Sequence, residues 1–160
     1  MARNPNDTTV TVSVLDRLID RDLNTPFEPA MGRAAAERAL RASVRRDLEW
    51  LLNTRRIAVP PDESFTELNR SVYCFGLPDF TAYGIRSQAD RNRLLSSLAQ
   101  VIRTFEPRLT DVHIVPAEKT EGGVNRLHFR IEALLKMDPA PEPISFDTVL
   151  ELSSGGYRIQ

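Results

Sequence analysis

The sequence predicts an α+β fold in which N-terminal helices pack on a C-terminal antiparallel β-meander of about three or more strands. Apolar residues recur at helical spacing between positions 34 and 105, and at alternate positions beyond 109. Helices that come first and consecutive strands that come last are typical of α+β domains. The 160 residues, 41% of them apolar and 27% charged, suit one soluble domain with a substantial core.

The first 30 residues are expected to form a partly disordered N-terminal segment with a short amphipathic helix, and residues 31–160 the single α+β domain. Within Val12–Ile19, four apolar side chains share one face: Val14, Leu15, Leu18 and Ile19. So short a segment cannot bury an apolar face alone. It either folds back on the domain, which is the default interpretation, or docks on another protein, for which Leu15 and Leu18 are the candidate contacts.

A long helix is predicted over residues 34–53, with an apolar stripe along one face. The stripe consists of Leu40, Val44, Leu48, Leu51 and Leu52. Four arginines lie off the stripe. We interpret them as a solvated face with local ion pairs to Glu37 and Asp47, and the alternative is a basic surface for a partner.

Two further helix starts can be identified from the sequence. Ser64 to Glu67 fits a capping box, and apolar residues then recur at helical spacing as far as Phe75, with Gly76 as a candidate C-terminal cap. Ser87 and Asp90 give the second start signal, and the helix that follows is expected to run to the proline at position 107.

The junction at Glu106, Pro107 and Arg108 stands out because the period of apolar residues changes there from 3.6 to 2. Pro107 lacks an N–H and disfavours helical geometry at the residue before it, so the helix must stop. A carboxylate and a guanidinium are thereby held at a defined corner. The pair either staples the turn within the chain or meets charges of a partner.

Three half-buried strands are predicted after this corner, because apolar and polar residues alternate along each of them. Their apolar positions include Val112 and Ile114 in the first strand, Phe129 and Ile131 in the second, and Phe146 in the third. Turns are expected around Gly122–Gly123 and between residues 139 and 143. An antiparallel meander has two edges, and an open edge can accept a strand from another protein.

The residues for an enzyme are few. The two histidines, His113 and His128, could be cross-strand neighbours, but two imidazoles make a poor zinc site. Glu106 could be a general acid, yet Arg108 would tend to keep it ionised. Cys74, the only cysteine, excludes an intrachain disulfide and has no activating neighbour. We therefore expect no catalytic residues, no metal and no cofactor.

Other classes of partner and compartment are also disfavoured. The net charge of −1 suggests neither nucleic acid nor a membrane surface as a partner. No stretch resembles a signal peptide, and none approaches the roughly 20 apolar residues that cross a bilayer. The expected localisation is cytoplasmic.

Four segments, taken together and in this order, resemble the TssE family of type VI secretion baseplate subunits, which is related to the lysozyme-like baseplate wedge proteins of contractile phage tails. The segments are Ser13–Leu18, Ser43–Thr54, Ser71–Asp79 and Ile102–Leu109. The likeness runs from about residue 13 to the end. Tyr73-Cys74-Phe75 stands where many members carry Leu-Asn-Tyr, a departure that leaves the predicted helix intact.

The resemblance implies a structural protein of the cytoplasmic baseplate that binds the TssF and TssG wedge subunits and primes assembly of the TssB–TssC sheath. It also makes the Glu-Pro-Arg corner a family signature, carried here by Glu106, Pro107 and Arg108. Two other functions are kept as alternatives, a small regulatory adaptor on the same fold and, with less support, a muramidase-like hydrolase.

Overall fold

The computed structural model describes residues 13–18, 32–79, 87–117, 126–138, 140–151 and 156–159. Its helices are α1 (Val14–Leu18), α2 (Arg33–Asn53), α3 (Thr66–Asn69) and α4 (Gln88–Phe105). A 3-10 turn spans Val72–Cys74. The strands are β1 (Leu109–Pro116), β2 (Arg126–Leu135), β3 (Glu142–Glu151) and β4 (Gly156–Ile159). They form one antiparallel sheet in the order β1-β2-β3-β4, which confirms the predicted α+β class.

The core lies between one face of this sheet and helices α2 and α4. The apolar stripe predicted on α2 is buried, and so is the stripe of α4. Helix α4 starts as predicted, because the Ser87 side chain accepts from the backbone N–H of Asp90 and the Asp90 side chain accepts from that of Ser87. No helix in the part of the chain that the structure describes is long and apolar enough to cross a membrane.

The helix predicted from Ser64 to Phe75 is wrong in start and length. The residue before α3 is Phe65, with no side-chain cap, and the helix ends after four residues. The Asp62 carboxylate accepts a hydrogen bond from the Ser64 backbone N–H, and the Asn69 side-chain amide donates to the backbone carbonyls of Asp62 and Phe65. Short polar side chains compete in this way with helical hydrogen bonds. The apolar positions of this segment, Val72 above all at 90% exposure, are therefore largely at the surface.

Gly76 does not end an α-helix, as its position in the sequence had indicated, but lets two loop segments approach. Its φ is +106°, and a Cβ there would lie 2.4 Å from the Thr54 carbonyl oxygen. That carbonyl accepts a hydrogen bond from the Leu77 backbone N–H at 2.8 Å, and the Leu77 carbonyl accepts one from the Arg56 backbone N–H at 2.9 Å. The glycine thus permits the short parallel bridge that ties the chain after α2 to the chain before α4.

The sheet confirms the three predicted strands and adds β4, a fourth strand too short for its alternation to be recognised. Strands β2 and β3 pair without a break over ten residues each. Strand β1 contains a bulge, where Asp111 has a φ of +52° and the register shifts between Thr110 and His113. The turn predicted at Gly122–Gly123 lies outside the described residues.

The close approach at Gly76 predicts a large effect of a single methyl group. Gly76→Ala should lower the free energy of unfolding by at least about 2 kcal/mol, since alanine is strained at positive φ and its Cβ would collide with a backbone oxygen. Urea denaturation measures this. Gly32→Ala is the matched control, because nothing lies within 4 Å of its added Cβ, and it should change stability by no more than about 1 kcal/mol. Equal effects of the two variants would contradict this role of Gly76.

Candidate partner-binding site

The corner after α4 has the shape that Pro107 dictates. Helix α4 ends at Phe105, and the Glu106 N–H makes a last helical bond to the Ile102 carbonyl at 2.8 Å. Leu109 then starts β1 with its N–H bonded to the Glu106 carbonyl at 3.1 Å. The Glu106 residue is only 3% exposed, whereas Pro107 is at the surface. The corner therefore directs its carboxylate inward and its proline outward.

Both oxygens of the Glu106 carboxylate are bound by the Arg108 guanidinium. Arg108 Nε donates to Oε1 at 2.6 Å, and Nη2 donates to Oε2. Such a two-point contact fixes the position of both side chains and is stronger than a bond between neutral groups. The bond to Glu106 raises the pKa of Arg108, burial opposes the shift, and Asp47 adds to it. The pair is internal, half-buried at Arg108, and fully formed within the chain.

Arg108 also reaches α2, so the corner is tied to a helix distant in sequence. Its Nη1 donates to the Ser43 hydroxyl at 2.9 Å, and its Nη2 donates to Asp47 Oδ2 at 2.6 Å. Asp47 in turn accepts from Arg46 through Oδ1. Ser43 is 3% exposed although its side chain is polar. One guanidinium thus connects the junction of α4 and β1 to two side chains one helical turn apart on α2.

The same group of side chains holds α1. Arg46 Nη1 donates to Asp16 Oδ1 at 2.6 Å, and the Ser43 hydroxyl donates to Asp16 Oδ2 at 2.6 Å. Partial burial acts to raise the pKa of Asp16, but hydrogen bonds from Ser13, Ser43 and Arg46 outweigh it and hold the pKa well below its usual range. We call the connected set the polar network: Asp16, Ser43, Arg46, Asp47, Glu106 and Arg108.

The polar network joins three parts of the chain in a closed ring. Asp16 contacts Ser43 and Arg46. Asp47 contacts Arg46 and Arg108. A hydrogen bond from Arg108 to Ser43 closes the ring. Three carboxylates face two guanidinium groups, so each charge has an opposite charge within bonding distance. The guanidinium of Arg46 also lies 5.1 Å from the centre of the Trp50 ring.

Two apolar residues of α1, Val14 and Leu18, face away from this anchor. Val14 is 64% exposed and Leu18 is 76% exposed, whereas the Asp16 side chain is only 11% exposed. Helix α1 therefore contacts the domain through Asp16 and leaves Val14 and Leu18 uncovered. The side chain of Leu15 and all of Ile19 lie outside what the structure describes. Partner binding by Leu15, Leu18, Glu106, Pro107 and Arg108 stays a prediction.

The sequence indicated Glu106 and Arg108 but missed their partners. Asp16 and Ser43 were not recognised as polar contacts, and Asp47 was interpreted only as a local partner of an arginine. A usable signal was present in α2. Ser43 precedes Val44 of the apolar stripe, and Asp47 follows it one turn later, so a polar pair borders a buried face. Polar residues at such a border need a partner from elsewhere in the fold.

The remaining reactive side chains are dispersed. The two histidines are not cross-strand neighbours, since His113 pairs with Glu132 and His128 with Val149. His113 Nε2 lies 2.9 Å from Asp111 at the surface. Cys74 is buried, with its thiol 3.9 Å from Asn69 Oδ1. Among the described residues, no group of three or more histidine, cysteine or acidic side chains is placed to hold a metal ion.

Breaking the Glu106–Arg108 pair should be costly because it strands a buried charge. We expect Arg108→Met to lower the free energy of unfolding by about 3–5 kcal/mol. Glu106→Gln combined with Arg108→Met should lose less than the two single changes added together. Urea denaturation of the natural chain, Glu106→Gln, Arg108→Met and the double variant measures the coupling energy between the two side chains. Arg130→Ala breaks an exposed pair with Asp147, so it should cost about 0–1 kcal/mol and serves as the control. An effect of Arg108→Met as small as this would contradict the role given to the pair.

The lowered pKa of Asp16 predicts how its contribution depends on pH. The unfolded state binds the proton more readily than the folded state, so the contribution is present above the ordinary value of 3.8 and is lost as the pH falls below it. The difference in unfolding free energy between the natural chain and Asp16→Asn should therefore be constant near neutrality and shrink in acid. Urea titrations over this range measure it. A difference that already shrinks as the pH falls from 7 to 6 would indicate that a histidine, and not Asp16, is the titrating group.

The chain matches the family described as baseplate wedge protein gp25 over residues 38–140, more than half of its length. No curated protein matches the chain. The matched span contains most of α2, all of α4 and β2, and the Glu106–Arg108 corner between them. Wedge proteins of this family are structural parts of a baseplate. The chain therefore belongs to the family of baseplate wedge protein gp25, whose type VI secretion homologue is TssE.

Proposed function

We propose that this chain is a TssE-type wedge subunit of a type VI secretion baseplate, which binds the TssF and TssG wedge subunits and primes assembly of the TssB–TssC sheath. The observation that carries the proposal is the family match over residues 38–140. A baseplate subunit must offer surfaces to several proteins at once. This fold has two candidates on separate parts of the molecule, the uncovered face of α1 and the edges of the four-stranded sheet.

The face of α1 is the surface that we assign to TssF and TssG. Val14 and Leu18 are exposed while Asp16 binds Ser43 and Arg46. A short helix that is anchored through Asp16 holds Val14 and Leu18 in a fixed place at the surface. Apolar anchors of this kind suit an amphipathic groove or helix of a partner. Leu15, next to them in sequence, is proposed to take part in the same contact.

The sheet is the surface that we assign to the sheath. An extended segment of a first-ring sheath subunit would add a strand, with backbone hydrogen bonds providing a repeatable joint. For the corner we propose a positioning role. Glu106 is buried and bound to Arg108, so the pair fixes where β1 leaves α4, while the exposed Pro107 is free to touch a neighbour.

A structural role also determines what we expect to be absent. We propose that the protein is not an enzyme, needs no cofactor, binds no nucleic acid, does not insert into a membrane, and acts in the cytoplasm. The division into a segment of residues 1–30 and a domain of residues 31–160 belongs to the same proposal, with the first part serving the wedge and the second the sheath.

Affinity purification of the tagged chain from its native cell tests this function. We expect TssF, TssG and the sheath subunits among the retained proteins. A second tagged form that lacks residues 1–22 should lose TssF and TssG, and its melting temperature should fall no further than that of Asp16→Asn, because Val14 and Leu18 are exposed in the domain. The tagged chain with Arg130→Ala, a change at an exposed pair on the sheet, is the control and should behave like the natural chain.

Three results would contradict the proposal. A signalling protein retained in place of baseplate subunits would favour the regulatory adaptor. Clearing of a peptidoglycan suspension by the folded protein would favour a muramidase. A fall in melting temperature on removal of residues 1–22 that clearly exceeds the fall caused by Asp16→Asn would show that α1 mainly stabilises the domain and would remove the assignment of its face to the wedge.

A further inference from the structure

The two edges of the sheet differ in the groups that satisfy their outward backbone N–H and C=O. Strand β1 has its backbone distorted at the Asp111 bulge, and the Val112 carbonyl already accepts a bond from the Arg103 guanidinium of α4. It ends at Pro116, which has no N–H to offer. Bulges and prolines are the usual means by which an edge strand resists pairing with another chain. Strand β1 is therefore a poor acceptor for an added strand.

The outward backbone groups of β4 are bound by a side chain of α2, which imitates a neighbouring strand. The Asn53 Oδ1 accepts from the Tyr157 N–H at 2.9 Å, and Asn53 Nδ2 donates to the Tyr157 carbonyl at 2.9 Å. A carboxamide has the same donor and acceptor as a peptide group. It binds both backbone groups of one residue on the side of β4 that does not pair with β3. The β4 edge is thus suited to hydrogen bonding from outside and is occupied by an exposed residue at the end of α2.

The outer face of the sheet next to this edge carries two arginines and a histidine. Arg126, His128 and Arg158 line a hollow of about 240 Å³ together with Glu151 and the start of β4. Arg126 pairs with Glu151 at 3.0 Å. Arg158 has no charged partner among the residues that the structure describes, and the buried Nε2 of His128 has no hydrogen-bond partner there. His128, Val149 and Arg158 stand in one row across three strands, which leads to the edge.

From these observations we propose that β4 is the edge that accepts the extended sheath segment. In the free protein Asn53 acts as a guard of this edge, because its side chain occupies the backbone groups of Tyr157 until the segment arrives. The segment carries an acidic side chain beside Arg158. This inference rests on the sheath docking proposed above and specifies its site. Entry of the segment exchanges the two bonds from Asn53 for bonds from the incoming backbone. The guard keeps the edge from pairing with unrelated strands while the sheath is absent.

Asn53→Ala tests the guard. Without the carboxamide, the Tyr157 amide should exchange with solvent faster in the free protein, as NMR-detected hydrogen exchange measures. The purified TssB–TssC complex should bind at least about five-fold tighter, since the two lost hydrogen bonds no longer compete with the incoming segment. Asn92→Ala is the matched control, because Asn92 is an exposed asparagine on α4 that bonds only to Gln88 among the described residues. It should change neither quantity.

Arg158→Ala tests the acidic side chain. It should weaken binding of the purified TssB–TssC complex several-fold, and the loss should diminish as salt is added. Arg130→Ala, on the same face but on β2, is the control and should leave binding unchanged. On binding, the amides of Tyr157 and Ile159 should gain protection, whereas those of β1 should not.

The outcomes separate the two proposals. If the natural chain binds TssB–TssC but Asn53→Ala binds no tighter and protection appears along β1, sheath docking stands and the assignment to β4 falls. If neither the natural chain nor Asn53→Ala binds while both are folded, the sheath docking itself is wrong. Binding by Asn53→Ala alone would support the guard in its strongest form.

Discussion

The arrangement of this domain depends on the contact between Arg108 and Glu106. Pro107 ends α4, but the direction in which the chain leaves is fixed by the guanidinium, which holds the buried carboxylate with one side and α2 with the other. Helices α2 and α4 thereby keep a defined position at the point where the sheet begins. The apolar core alone would tolerate small shifts of one helix along the other, because apolar contacts have no direction.

A buried ion pair of this kind is better understood as a source of specificity than of stability. Removing charged groups from water is expensive, and the attraction between them roughly repays that expense. What the pair adds is geometry, since a two-point bond between planar groups has one good arrangement. For a subunit that joins several neighbours, a fixed geometry is more useful than a large margin of stability. The additional bonds to Ser43 and Asp47 satisfy donors that would otherwise remain unpaired.

The sequence predicted the features that depend on local spacing. Helices α2 and α4 and strands β1 to β3 follow from apolar periodicity, and the start of α4 follows from Ser87 and Asp90. It failed between residues 64 and 75, where Asp62 and Asn69 bind the backbone and shorten the helix. Strand β4 has only four residues, too few for a recognisable pattern. The polar network could not be predicted from the sequence, because Asp47 and Arg108 are separated by 61 positions and only the fold brings them together.

The closed form of the polar network has a consequence for the order of folding. Ser43 and Arg46, which hold Asp16, are themselves held by Arg108 and Asp47, so the place where α1 sits is complete only after α2 has met the end of α4. Contacts between distant parts of a chain form late, because the closure of a long loop must come first. Helix α1 therefore reaches its complete set of contacts only when the corner has formed. In a domain whose corner has not formed, Asp16 would meet Ser43 and Arg46 without the support of Arg108 and Asp47, so the position of α1 reports whether these distant parts of the chain have met.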